Sequence, residues 1–212
     1  ETLWSYEAGF KSDLAGKRVR LNGTAFYYDY EDLQVQAFIT SGVIDITNAA
    51  DAEIKGVEIE FITRPTEALS LGGSANWLDA KYRNFPAAPI AGGTFDAGGK
   101  RLNSAPESSF TVFGQYDFAL GDGAAISVRG EYSWKDRQSF TVVNDAIQAS
   151  PGCGLLNASI SFNSADSHWQ VVAYGRNLAD DRYLLSAGAF TAVPAGTPGD
   201  PRTYGLRVAY SY

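Results

Sequence analysis

The chain has 212 residues and a formal net charge of −7 with no basic cluster, a balance that argues against a nucleic-acid partner. Its 22 glycines, 13% aromatics and only 19% charged residues describe a β-rich chain, with apolar residues spread widely enough to exclude intrinsic disorder. One cysteine, Cys153, and one histidine, His168, leave no internal disulfide framework, no multi-cysteine metal site and no mechanism that needs two histidines. No stretch reaches the roughly 18 consecutive apolar residues of a transmembrane helix. That test is blind to transmembrane strands, whose signal is a weak alternation. The first residue is Glu1 and methionine is absent, as expected of a processed product or a piece of a longer chain.

Alternation with period 2 runs through the chain and predicts nine strands. The first is Trp4 to Phe10. In the second, Val19, Leu21, Gly23, Ala25 and Tyr27 share a face opposite Arg18, Arg20, Asn22 and Thr24. Val57, Ile59 and Phe61 oppose Glu58 and Glu60; Leu69, Leu71, Gly73, Ala75 and Trp77 oppose Ser70, Ser74 and Asn76. Phe110, Val112, Gly114, Tyr116 and Phe118 oppose Thr111, Gln115 and Asp117. Ile126, Val128, Gly130, Tyr132 and Trp134 oppose Ser127, Arg129, Glu131, Ser133 and Lys135. Leu156, Ala158, Ile160 and Phe162 oppose Asn157, Ser159 and Ser161. Trp169 to Arg176 continues more loosely, and Tyr204, Leu206, Val208, Tyr210 and Tyr212 close the chain.

The connections alternate as well. Short turn-like links fall at Ser12 to Lys17, Arg64 to Ala68, Leu120 to Gly123 and Asn163 to Ser167. Long ones fall at Phe38 to Ala52, Asn84 to Ala105, Phe140 to Gly154 and Leu184 to Pro201. Short turns on one side and long loops on the other are the layout of an outer-membrane barrel. Several strands also exceed the 9 to 11 or so residues that a bilayer needs; the second reaches from Lys17 to Gln36. Aromatics of the apolar face gather near the strand ends. Trp4, Tyr27, Trp77, Tyr132 and Trp134 lie toward the long loops, and Phe10, Phe61, Phe118, Phe162, Trp169 and Tyr212 toward the short turns. Two such girdles around a non-aromatic band match a hydrocarbon slab with two interfaces. A soluble β-sandwich would alternate too, but with more Lys and Glu outside and fewer glycines.

Four segments carry a family resemblance: Trp4-Ser-Tyr-Glu-Ala-Gly-Phe-Lys-Ser-Asp-Leu, Asn48-Ala-Ala-Asp-Ala-Glu-Ile-Lys-Gly-Val-Glu-Ile-Glu, Gly175-Arg-Asn-Leu-Ala-Asp-Asp-Arg-Tyr and Tyr204-Gly-Leu-Arg-Val-Ala-Tyr-Ser-Tyr. In this order and spacing the chain resembles the C-terminal part of the barrel of TonB-dependent outer-membrane receptors. The resemblance implies an all-β fold: an antiparallel transmembrane β-barrel segment in which residues 1–212 supply about nine strands, the last part of a barrel of about 22 strands. It further implies a location in the bacterial outer membrane and uptake of a scarce nutrient, such as a ferric siderophore or cobalamin, energised by a TonB complex acting through a plug domain. The plug and the earlier strands are expected on another chain or in a missing N-terminal part.

The terminal pattern Leu206, Val208, Tyr210, Tyr212 resembles the signal read by the outer-membrane assembly machinery, and an open alternating strand suits recognition by strand addition. Arg83, Asp96, Lys100, Arg101, Asp136 and Arg137 lie in or near long loops and are candidates for contact with a polar ligand or with lipopolysaccharide. Glu58, Glu60, Arg129, Glu131 and Arg207 are expected to face the lumen, toward one another or the plug. His168, beside a short turn, has no partner for catalysis or metal binding; no cofactor and no enzymatic activity are expected. Cys153 is expected in a long loop, free or paired with a cysteine elsewhere. The glycines from Ala91 to Lys100 lack the ending and context of a phosphate loop and read as a flexible external loop. The rival reading is a passive porin or secretion translocator, which shares the strands but needs no plug.

Overall fold

The computed structural model of the chain describes residues 1–40, 43–90, 93–189 and 194–212. Its strands are β1 (Thr2–Leu14), β2 (Val19–Thr40), β3 (Val43–Thr63), β4 (Leu69–Asn84), β5 (Ala88–Ile90), β6 (Gly93–Phe95), β7 (Ser108–Ala119), β8 (Ala125–Lys135), β9 (Gln138–Ser139), β10 (Ala149–Ser150), β11 (Cys153–Asn163), β12 (Trp169–Arg176), β13 (Leu184–Ala189), β14 (Pro194–Pro198) and β15 (Thr203–Tyr210). Nine of them form one antiparallel meander in the order β1-β2-β3-β4-β7-β8-β11-β12-β15, as the alternation predicts. Each strand pairs with its predecessor and successor, so every side chain's face is fixed by the register.

That register lines up the predicted apolar sets across the whole sheet. Ala25 faces Val57 and Val57 faces Trp77; Gly73 faces Val112 and Val112 faces Tyr132. Val128 then faces Ile160, which faces Ala173. These residues are not a dry core. On interior strands, flanked on both sides, Val57 is 41% exposed, Ile59 46%, Val112 42%, Val128 40% and Ile160 55%. A sheet that leaves its apolar face uncovered is the reverse of a soluble sandwich, in which that face is buried.

The opposite face differs from the expected polar lining in one respect. Besides Asn, Ser, Thr, Glu and Arg it carries aromatic rings seated over glycines of the next strand. Phe26 lies opposite Gly56 and Phe113 opposite Gly72. A Cβ at Gly72 would sit 2.7 Å from the Phe113 ring, and one at Gly56 2.6 Å from Phe26. Glycine is thus required there by the close approach of a neighbouring ring.

All four long links contain paired backbone. The link from Phe38 to Ala52 is largely the continuation of β2 and β3, paired up to Thr40 and from Val43; Ser41 and Gly42 lie outside the described residues. β-Branched Ile39, Thr40, Val43, Ile44, Ile46 and Thr47 favour that extension. A bulge interrupts the ribbon between Tyr30 and Leu33, with Asp32 at φ 54°, and such an extra residue bends the strand. The other links hold the ribbons β5–β6, β9–β10 and β13–β14. Ala91, Gly92 and Phe190 to Val193 lie outside the described residues. The short links are tight turns, and left-handed Ala15, Gly16 and Lys17 close the β1–β2 hairpin.

Candidate functional site: the loop end and the inner wall

The long-loop end has its own small core. Val35, Ala50, Ala52, Tyr82, Phe85, Ala88 and Ala97 are buried together, with Leu33, Phe95, Leu102 and Val142 packed around them. Tyr82 and Phe85 meet with ring centroids 5.3 Å apart. Ala50, Ala52 and Tyr82 have the parity of the polar face, so this core leans over the inner side of the sheet. Residues 100–107 run back along β4, with Leu102 N–H donating to the Ala80 carbonyl at 3.0 Å and Leu78 N–H to that of Glu107 at 2.7 Å.

Side chains tie the loops to one another. The Asn144 amide spans two of them: its Oδ1 accepts from Arg101 N–H at 2.8 Å, and its Nδ2 donates to the Arg101 carbonyl at 3.1 Å and the Thr141 carbonyl at 3.0 Å. Asn177, buried beyond β12, donates from Nδ2 to the carbonyls of Asp181 and Asp200 and accepts from Asp181 N–H. The Asp181 carboxylate in turn accepts from Gly154 N–H at 2.8 Å, and the fully buried Ser150 hydroxyl accepts from Leu184 N–H. The Asn-Leu-Ala-Asp-Asp segment is therefore a clamp that fastens the last long loop to β11 and its neighbour. Its polar residues hold backbone rather than a ligand.

The six charged loop residues singled out from the sequence do not converge on one point. Arg83 pairs with Asp29 at 3.0 Å, and Arg101 with Glu107 at 2.6 Å. Asp96 caps its own turn through Gly98 N–H, and Lys100 lies 5.8 Å from the Phe95 ring centre. Arg137 donates to the Asp145 carbonyl at 2.9 Å. Arg101, Asp136 and Arg137 do share a surface crevice of about 180 Å³ with Asn144 and Glu107.

A larger concavity lies on the inner wall. β8, β11, β12 and β15 form a groove of about 650 Å³ lined by Arg129, Glu131, Asn157, Tyr174, Arg176 and Arg207. Three guanidinium groups there answer one carboxylate. Arg129 pairs with Glu131 at 3.0 Å and lies 4.0 Å over the Phe113 ring; Arg207 donates to Gln170 Oε1 at 2.7 Å. Glu60 accepts from Asn22 at 3.4 Å on the same face. Sequence parity placed Arg129, Glu131 and Arg207 on this wall; Tyr174 and Arg176 were missed because the β12 alternation is loose.

On the apolar face Trp4, Trp77, Phe118, Phe162 and Trp169 are exposed, while Tyr27 and Trp134 are partly covered. Trp134 stacks on Phe110 at 5.8 Å. Leu206, Val208 and Tyr210 are exposed on β15, and Trp169, Tyr210 and Tyr212 form a ring cluster with centroids 4.9 and 5.4 Å apart. His168 Nδ1 lies 2.7 Å from the Ser211 carbonyl, holding the chain end against the β11–β12 turn. Cys153 is the first residue of β11, buried and free, and not in a loop as expected. Among the described residues, no group of acidic, histidine or cysteine side chains is placed to hold a metal ion.

The family described as "TonB dependent receptor-like, beta-barrel" matches residues 1–178. The metal-pseudopaline receptor CntO of Pseudomonas aeruginosa is 25% identical over 219 aligned residues, covering 98% of this chain and 27% of that protein. The crystal structure of the ferric yersiniabactin uptake receptor FyuA from Yersinia pestis superposes with a TM-score of 0.82 at 19% identity, over 99% of this chain and 30% of that one. The siderophore receptor PiuA from Acinetobacter baumannii gives 0.80 at 19% identity, over 99% and 28%. The chain thus spans less than a third of the length of these relatives.

Proposed function

The chain belongs to the TonB dependent receptor-like β-barrel family, and from that premise we propose that it forms the last nine strands of an outer-membrane receptor importing a metal chelate such as a ferric siderophore. The observation that carries the reading is the uncovered apolar face on the interior strands β3, β7, β8 and β11, set against a polar inner face with an arginine-lined groove. In the bilayer the apolar face meets lipid between two aromatic girdles, Trp4, Tyr27, Trp77 and Trp134 on one side and Phe118, Phe162 and Trp169 on the other. The long loops face outward, and the chelate is met there and by a plug.

Each edge of the sheet needs a neighbour. Among the described residues β1 pairs only with β2, and β15 only with β12. Unpaired backbone groups in hydrocarbon cost several kcal/mol each, so two bare edges cost on the order of tens of kcal/mol. The remaining strands of the receptor supply those partners, and the inner groove of Arg129, Arg176 and Arg207 faces the plug they enclose. Transport then needs no chemistry from this chain: ligand passes when a TonB complex pulls on the plug.

Uptake of a radiolabelled ferric siderophore by cells carrying the complete receptor tests this. Accumulation that stops when TonB is deleted or the proton gradient is collapsed supports it. Steady solute conductance in planar bilayers, with uptake indifferent to TonB, would instead establish the passive porin.

A further inference from the structure

Among the described residues the inner wall holds the same three-part stack twice. Phe113 on β7 lies over Gly72, and the Arg129 guanidinium on β8 sits 4.0 Å from the centre of that ring. Tyr174 on β12 lies over its cross-strand partner Gly205, where a Cβ would run into the ring. The Arg176 guanidinium sits 5.3 Å from the Tyr174 centroid. In each stack a glycine lets a ring lie against the sheet, and the ring steadies a guanidinium. A guanidinium held on a ring keeps its N–H edge for partners in its own plane.

Register sets the depth of each charge. Arg129, Ser159 and Tyr174 form one inward row. Arg176 stands one same-face step nearer the long loops, and Arg207, opposite Val172, one step nearer the short turns. Same-face rows are about 7 Å apart, so the three guanidinium groups span about 14 Å of wall at three depths. One carboxylate stands among them, Glu131, and Arg129 engages it at 3.0 Å. Among the described residues neither Arg176 nor Arg207 has a carboxylate at ion-pair distance; Arg207 donates instead to the neutral Gln170 amide at 2.7 Å. Ser159 and Gly205 leave the floor between them low, and the resulting 650 Å³ groove has the size of a small-molecule pocket.

Two cations without counter-ions, at different depths and one of them on a stiff support, fit an anion that carries more than one carboxylate. Resting on the reading of this face as the lumen of an uptake receptor, we propose that Arg176 and Arg207, flanked by the Arg129 stack, form a polycarboxylate-binding site on the inner wall. Chelates with free carboxylates are then the substrate class that this wall accepts.

The test treats the complete receptor in detergent with phenylglyoxal, which modifies accessible arginines, in citrate or in chloride at equal ionic strength. Modified peptides are quantified by mass spectrometry. The expected result is that citrate slows modification of Arg176 and Arg207 about tenfold or more relative to chloride, and leaves Arg64, exposed in the β3–β4 turn, unaffected. In a Tyr174→Leu receptor that still migrates as a folded barrel, all three charges remain and protection of Arg176 should fall while that of Arg207 persists. Equal rates in the two anions overturn the proposal. So do arginines that stay unmodified in chloride, which would mean that plug carboxylates already occupy the groove. Undiminished protection of Arg176 in Tyr174→Leu overturns the part given to the ring. TonB-dependent uptake is read in a separate assay, so a failed protection experiment leaves the transport reading standing.

Discussion

Asn177 and Asp181 bind each other twice: Asn177 Oδ1 accepts from Asp181 N–H at 2.9 Å, while Asn177 Nδ2 donates to the Asp181 carbonyl at 2.9 Å. The same Nδ2 reaches the Asp200 carbonyl at 3.0 Å, closing both ends of the last long loop on one buried amide. Removing that amide strands several backbone groups at once. Asn177→Ala is therefore expected to destabilise the loop by about 1–3 kcal/mol. Limited proteolysis of the folded receptor should cut between residues 178 and 201 far faster than in the parent, with the strands intact. An unchanged cleavage pattern would show that the clamp is not what orders the loop.

Neighbouring residues on β11 should differ sharply in their tolerance of charge. Ile160 stands on the apolar face, 55% exposed, and Ser161 on the polar one. Ile160→Lys is expected to cost about 2–4 kcal/mol at mid-membrane depth, whereas Ser161→Lys stays near neutral in a wet lumen. The amount of heat-modifiable barrel recovered in outer membranes measures the difference, and equal recovery contradicts a lipid-facing Ile160.

The ring of Phe113 occupies the space above Gly72, where a Cβ would also lie 3.1 Å from the Phe61 carbonyl. Gly72→Ala should therefore cost about 1–3 kcal/mol through overpacking. Adding Phe113→Ala removes the obstruction, so the double variant should lose less than the sum of the single losses. Thermal unfolding in detergent tests it; strict additivity would mean that the ring moves aside freely.

The chain end makes a separable prediction. Tyr212 meets the Tyr210 ring edge-on at 5.4 Å beside Trp169. Deleting Tyr212 is expected to lower assembly into the outer membrane several-fold in immunoblots of membrane fractions. Normal levels would remove it as part of an assembly signal.

Acid should loosen the β11–β12 turn. The Asp166 carboxylate accepts from the Ser164 hydroxyl and from His168 N–H, and these bonds hold its pKa below the ordinary aspartate value. A depressed carboxylate pKa stabilises the folded turn above the unfolded value, and that contribution disappears as pH falls through the folded one. Hydrogen exchange at the His168 amide should therefore quicken as pH drops below the usual aspartate range, after correction for intrinsic rates. Asp166→Asn should flatten that extra pH dependence.

The sequence by itself determined the nine strands, the face each side chain takes and the short-and-long rhythm of connections. A pleat forces neighbours onto opposite faces, so alternation at Ile126 to Trp134 or Leu156 to Phe162 is a local record of two different surroundings. Only the tertiary structure decided what the long links do. Asn144 clamps Arg101 from 43 residues away and Asn177 holds Asp200 from 23, separations at which no periodicity survives. The same reason hid the inner aromatics: the seat of Phe113 over Gly72 exists only once register sets β7 beside β4. Of the charged loop residues that the sequence offers as candidates for ligand contact, Arg83 and Arg101 are paired with Asp29 and Glu107, which folding brings to them. Whether a charged side chain is spent within the protein or left for something outside depends on neighbours far along the chain.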